Sequence, residues 1–408
     1  MEKEKARENA KEEKISQVLS AVAEAMVKEA LSDVPDSSMT VVSGNRDSTI
    51  VNICVNGNNG IFSLAADSSK WIDKLPALVK VLCDSEKSGE EIYDALLKVD
   101  LPIAEVPESQ SEKFSLTASK TGFLRLFCKG TLWPITPKNV KSVELFGVSL
   151  IGDYAFSECR SLETVEIPSS VTKIGCYVFN CCNSLKAVEI SSSVTAISDY
   201  AFSECSSLET VEIPSSVTEI ADSAFYACYS LKAVEIPSSV TEIGKSAFSE
   251  CHSLEAVKIP SSVTAIDKWT FKGCSSLKVV EIPSSVMAIG ECAFSDCRSL
   301  KAVEILSGVT AIGEFAFFAC YSLKAVEIPS SVTEIGIGAF DRCRSLETVE
   351  IPSSVTEIYA YAFGDCSSLS DVQFGGTVAQ WKAVQKGGDW CKDVSAKSVK
   401  CADGEVSL

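Results

Sequence analysis

Thiols and carboxylates are the side chains here that could do chemistry. The 408-residue chain holds 18 cysteines and one histidine, His252, with 55 acidic residues against 37 basic ones. His252 follows Cys251, at a place held elsewhere by Arg160, Tyr229 and Tyr321. A lone imidazole at a variable position reads as a surface residue before it reads as a general base. The cysteines could bridge, bind metal or attack a substrate. Zinc needs two close pairs, and no CxxC with a second such pair occurs; Cys181 and Cys182 are simply adjacent. No Gly-x-Ser-x-Gly, phosphate loop or dinucleotide fingerprint appears. The sequence thus predicts no catalytic residue, no cofactor and no metal site.

Ten of the cysteines keep an even spacing. Stepping by 23 from Cys159 lands on a cysteine at every turn through Cys366. The same step from Phe156 gives phenylalanine through Phe363, and from Leu162 it gives leucine through Leu369. A repeat of this kind decides the fold before any local reading does. One column of cysteines, one per unit, reads as packing, since free cysteine is among the most buried residue types. Abundant unpaired thiols favour a reducing compartment.

The unit itself is legible. Val165 and Ile167 are two apart, so they share one face of a short strand, with Thr164 and Glu166 on the other. Pro168 ends that strand because it has no amide to donate. Ser169-Ser170 turns the chain, and Val171 and Ile174 bring it back to the core. Ala155-Phe156 to Cys159 closes the coil as a helical turn or an irregular segment. One unit cannot bury its own apolar side chains, so units stack. At about 4.8 Å per strand, ten of them span roughly 50 Å.

The string Leu-x-x-Val-x-Ile-Pro-x-x-Val-Thr-x-Ile-Gly-x-x-Ala-Phe-x-x-Cys resembles the BspA-type leucine-rich repeat, the treponemal 23-residue class. The resemblance covers about 140–375. It implies an α/β repeat solenoid of about ten 23-residue coils with parallel strands, a small α/β N-terminal region and a C-terminal cap. It also implies a surface or secreted protein that binds host proteins, such as extracellular-matrix or cell-surface proteins, or other bacterial cells. Gly376-Thr377 to Trp381, followed by Cys401-Ala-Asp403-Gly404-Glu-Val406, is similar to the cap that follows such repeats in bacterial proteins.

Four segments follow. Residues 1–33 read as an amphipathic helix, with Ile15, Val18, Leu19, Val22, Met26 and Leu31 near one stripe. Residues 34–139 read as a small α/β region and N-terminal cap, with a hairpin of Thr49–Val55 and Ile61–Leu64 about Asn56-Gly57 and Asn59-Gly60. Residues 140–374 are the repeats, and 375–408 the C-terminal cap, with Thr377 capping a short helix. The start at Met1–Asn9 has no apolar stretch of signal-peptide length behind it, which points to a cytoplasmic chain or non-classical export. No run of 18 apolar residues is present, so no membrane span is expected. A net charge of −18 disfavours nucleic acid and anionic lipid. The partner expected is protein, and the oligomeric state stays open.

Two outward columns are candidates for binding it. The strand column holds Glu166, Glu189, Glu212, Glu235, Glu281, Glu304, Glu327 and Glu350, broken by Lys258. Carboxylates one strand apart repel by roughly 0.9 kcal/mol per pair in water, before salt screening. Nearby Lys186, Lys232, Lys278, Lys301 and Lys324 are candidates to offset this. A charged face copied by duplication explains the column, and so does an acidic strip for a basic protein. The second column lies two residues before each phenylalanine and is the least constrained. It holds Tyr154, Tyr177, Tyr200, Trp269, Phe315 and Tyr361 among Ser223, Ser246, Cys292 and Gly338. These rings either cover the coil edge or anchor a partner, as Tyr and Trp do at interfaces.

Overall fold

A computed structural model describes residues 140–408 and, as backbone strands only, Ser38–Ser43, Thr49–Cys54, Ile61–Ala66 and Phe123–Leu132. The helix expected over 1–33 and the helices within 34–139 lie outside the described residues. The chain divides into two compact units, Met1–Leu185 and Lys186–Leu408. In both, the described residues from 140 onward follow a 23-residue turn of a parallel-strand β-solenoid, about 11 turns in all.

In the first unit the expected hairpin is present. Thr49–Cys54 pairs antiparallel with Ile61–Ala66, and Cys54 faces Ile61. Phe123–Leu132 then runs parallel to Ser142–Ile151, so the first repeat strand has a neighbour on its leading side. An uncovered strand edge would offer its amides to any other chain.

Each turn has three sides, shown well in the second unit. The first is a strand of three or four residues. Thr210 lies between Ala187 and Ala233, and Val211 between Val188 and Val234. This one-to-one pairing at 23 residues is why the columns exist. Its valine and isoleucine point inward; Val211 and Ile213 are buried while Thr210 and Glu212 are exposed. Proline then stops the strand. At the corner, the second serine of Pro-Ser-Ser donates back to the preceding turn, as Ser239 Oγ does to Val217 O at 2.6 Å. The second side is a two-residue strand, such as Glu219–Ile220 between Ala196–Ile197 and Glu242–Ile243.

The third side is where sequence left a helical turn or an irregular segment open. It is irregular, and the repeats contain no helix among the described residues. Instead it forms a ladder of its own. Trp269 N, Phe271 N and Gly273 N donate to Glu291 O, Ala293 O and Ser295 O of the next turn at 2.9, 2.9 and 2.8 Å. Aiming alternate amides the same way requires positive φ on both sides of the phenylalanine. That is what is found in every turn, from Tyr154 and Glu158 to Tyr361 and Asp365. A left-handed residue other than glycine costs about 1–2 kcal/mol. Here the inter-turn bonds and the packing of the phenylalanine offset it.

The core is a stack of identical residues. Phe202, Phe225, Phe248, Phe271, Phe294, Phe317, Phe340 and Phe363 lie face to face, with ring centres 5.2–5.6 Å apart. In the first unit Phe156 and Phe179 repeat this at 5.5 Å. All ten are fully buried. Beside them each repeat cysteine is buried and its thiol faces a backbone carbonyl. Cys274 Sγ donates to Phe248 O at 3.3 Å, and the same bond recurs through Cys366 Sγ to Phe340 O. The cysteine column thus fills space and adds a second donor to a carbonyl that already accepts from a backbone amide, as Phe248 O does from Cys251 N. Cys391 and Cys401 are free thiols.

The stack needs an end. Trp390 meets Phe363 edge-on at 6.2 Å, and Trp381 lies against both Trp390 and Phe374. Trp381 belongs to the helix Val378–Ala383, which is capped by Thr377 in a reciprocal box with Gln380. Asp403 accepts from Val378 N at 2.6 Å, tying the helix start to the final hairpin of Ser398–Cys401 and Gly404–Ser407. The Lys386 amine closes the other helix end, donating to Trp381 O and Val384 O.

Two measurements check this core. Phe271→Ala removes a ring packed between two others, and should cost about 3–5 kcal/mol in chemical denaturation. Burial pushes the Cys251 thiol from its ordinary value near 9 up to about 12. The folded state therefore holds a proton that the unfolded chain releases. The contribution of that thiol to stability should be level below pH 9 and fall as pH rises from 9 to about 12, by about 1.4 kcal/mol per pH unit. Cys251→Ala should reduce the slope by one proton in alkaline unfolding curves.

Candidate protein-binding surface

With Phe and Cys turned inward, the outward positions are the ones open to a partner. All eight strand glutamates, Glu166, Glu189, Glu212, Glu235, Glu281, Glu304, Glu327 and Glu350, are exposed. Strand register sets them side by side: Glu189 faces Glu212, and Glu281, Glu304, Glu327 and Glu350 follow in sequence. Glu235 faces Lys258, where the strip changes sign. On the inner side of the same strand, valine and isoleucine hold the backbone flat.

Two of the five lysines expected to offset this strip do something else. Lys232 pairs with Glu209 at 2.6 Å and Lys278 with Glu255 at 2.5 Å. Lys141 and Glu163 make the same pair at 3.1 Å in the first unit. Each such pair joins successive turns within the column just after leucine. Lys232 and Lys278 therefore neutralise acids of a neighbouring column and not those of the strip. Each pair also holds the Glu209 and Glu255 carboxyls below the usual range, through the lysine hydrogen bond and charge.

The aromatic column has a backbone cause. Tyr154, Tyr177, Tyr200, Trp269, Phe315 and Tyr361 all occupy the left-handed position before the phenylalanine, with φ between 54° and 59°. The position is fixed in backbone and free in side chain, which is why sequence showed it as the least constrained. Tyr154 and Tyr177 stack at 4.9 Å, 5° from parallel. Tyr154 and Tyr361 are exposed; Tyr177, Tyr200, Trp269 and Phe315 are half-buried along the coil edge. Phe315 folds over Gly338 of the next turn, where an added Cβ would meet its ring at 2.4 Å.

Sequence reasoning took a third column, just after the cysteine, as a variable surface position and did not offer it for binding. Tyr229 stacks on His252 at 5.1 Å, so the lone histidine is an exposed ring in a surface stack. Its Nδ1 lies 2.9 Å from Gly273 O. Further along, Tyr321 lies between Arg298 and Arg344, whose guanidinium carbons are 5.9 and 5.3 Å from its centre. The available signal was the pair of arginines bracketing a tyrosine at 23-residue steps. Among the described residues no group of three His, Cys, Asp or Glu side chains could hold a metal ion, and no helix is long and apolar enough to cross a membrane.

The comparisons agree with this geometry. The chain matches the BspA type leucine rich repeat region over residues 149–278 and 266–383, in six copies, and it belongs to that family. No curated protein sequence matched it. A leucine rich cell surface protein from Faecalibacterium prausnitzii is 30% identical, over 70% of this chain and 86% of that one, with a TM-score of 0.44. A leucine-rich repeat protein from Bacteroides ovatus is 28% identical, over 61% and 70%, with a TM-score of 0.51. The family is a non-catalytic repeat scaffold for protein interaction.

The left-handed positions are open to test. Ser246→Gly removes strain at φ 54° and should leave stability unchanged or raise it by about 1 kcal/mol. Ser246→Val places a β-branched side chain there and should cost roughly 1–3 kcal/mol. Denaturant midpoints of the two variants decide it.

Proposed function

We propose that the chain is an adhesin-like or host-interaction protein that captures protein ligands along its repeat surface. The observation that supports it most is the division of labour in the coil. The core columns are invariant in type and closed by the C-terminal aromatic cluster, while the outward columns are a solvated acidic strip and an aromatic edge. A non-obligate protein interface needs such a surface and no pocket. The acidic strip suits a basic face on the partner, which speeds and orients encounter. The likeness to a protein described as a cell surface protein supports an extracellular setting.

A second reading is an intracellular scaffold with a cytoplasmic partner on the same columns. The observation favouring it is that eleven of the described cysteines, Cys228, Cys391 and Cys401 among them, are free thiols, as a reducing compartment would leave them.

Replacing Glu212, Glu235 and Glu327 together by Lys should abolish capture of a basic protein ligand, with the thermal midpoint kept. Surface plasmon resonance with immobilised extracellular-matrix proteins reads the extracellular case. Undiminished capture by the triple variant would move the site off the strip.

A further inference from the structure

The aromatic residues that reach the surface are confined to the loop edge, and in one place they meet arginine. Across three successive turns, Arg298, Tyr321 and Arg344 form one stack with the tyrosine ring in the middle. A second contact lies beside it: the Arg342 guanidinium is 5.3 Å from the centre of Phe318, and Phe318 meets Phe315 edge-on at 5.8 Å. The backbone beneath is held by left-handed residues at Asp296, Ala319 and Arg342. This is a rigid patch of Arg, Tyr and Phe, the residue types that concentrate binding energy at protein interfaces.

The chemistry of the patch selects its ligand. A guanidinium stacked on a ring keeps its in-plane N–H groups outward, and those groups match a carboxylate bidentately. Arg344 forms no ion pair among the described residues. Arg298 and Arg342 engage Asp296 at 3.1 Å and Asp365 at 3.7 Å. These are exposed pairs, which bind their partners weakly and exchange readily. Both faces of Tyr321 are occupied by guanidinium groups, so no bare face is left there for a sugar ring or a base. The net charge of −18 opposes long polyanions such as nucleic acid. A short segment feels mainly the charges within about 10 Å at 0.1 M salt. Arg298 and Arg344 sit two turns apart, roughly 10 Å at strand spacing. Carboxylates on one face of an extended segment recur about every 7 Å, within reach of both long arginines.

We infer that the Arg298–Tyr321–Arg344 stack, with Phe318 and Arg342 beside it, is a docking site for a short acidic segment of a partner protein. It rests on the reading of the chain as a protein-binding scaffold and adds a site of opposite preference to the acidic strip. Tyr321 is a positioning residue: its ring lies between the two guanidinium groups.

Fluorescence anisotropy of a labelled hexaglutamate peptide on the full chain tests it, with hexalysine and a six-nucleotide DNA strand as parallel probes. Saturable hexaglutamate binding is expected, weakening as salt rises. Arg298→Ala with Arg344→Ala should weaken it about tenfold or more. Arg344→Lys keeps the charge, loses the planar fork and should weaken it about threefold. This milder variant decides the matter if the double variant does not fold. Tyr321→Leu should weaken binding with every charge in place. Absence of saturable hexaglutamate binding, binding unchanged in the arginine variants, or tighter binding of the DNA would overturn the proposal. The strip is read separately by the glutamate-to-lysine triple variant. Loss of hexaglutamate binding with strip-dependent capture intact would refute this site alone.

Discussion

Face-to-face stacking of one phenylalanine per turn is the constraint on which the rest depends. The rings sit 5.2–5.6 Å apart in the second unit, close to the spacing of the strands on the other sides. Matching those two spacings is possible only if every turn has the same length and path. The one-to-one strand register follows, and with it the columns. The left-handed residues flanking each phenylalanine belong to the same requirement, because they aim its amide and its neighbours' amides at the next turn. A thiol from the next turn then adds to the backbone bond already made at the phenylalanine carbonyl.

A core fixed in this way leaves the surface free to vary, and it varies unevenly. The longer strands keep an acidic face apart from Lys258, and two of the lysines that could neutralise it, Lys232 and Lys278, are engaged with the column beside it. The loop edge carries the large rings and, near Tyr321, arginine. The same chain thus presents two surfaces of different chemistry, both built on rigid backbone. Recognition by a scaffold of this kind needs no lid and no pocket; it needs side chains held at fixed spacing, which the register supplies.

Much of this was legible in the sequence because the repeat made each position visible ten times. Val165 and Ile167 inward, Glu166 outward and a stop at Pro168 follow from alternation and from the missing amide alone. The Thr377 cap and the Thr49–Ile61 hairpin carry local signals and appear as read. The third side was harder. Its ladder depends on left-handed φ at residues such as Trp269 and Tyr361, and nothing in a tyrosine or tryptophan announces positive φ. Only Gly273 and Gly338, in those same columns, hint at it. The partners of Lys232 and Lys278 were also out of reach. Sequence puts them near two columns of acids, and which one they meet depends on side-chain direction across the turn. The Arg–Tyr–Arg stack needed three turns seen at once.

Site-specific photocrosslinking tests the central claim most directly, namely that the outward columns are where this chain meets other proteins. A photoreactive amino acid placed at Glu327, at Tyr321 and, as a control, at the exposed corner residue Ser238 would be irradiated in the cells that make the protein and in contact with host matrix proteins. The account predicts discrete protein adducts from Glu327 or Tyr321 and none from Ser238. Adducts of equal yield from all three positions, or none from either column, would contradict it.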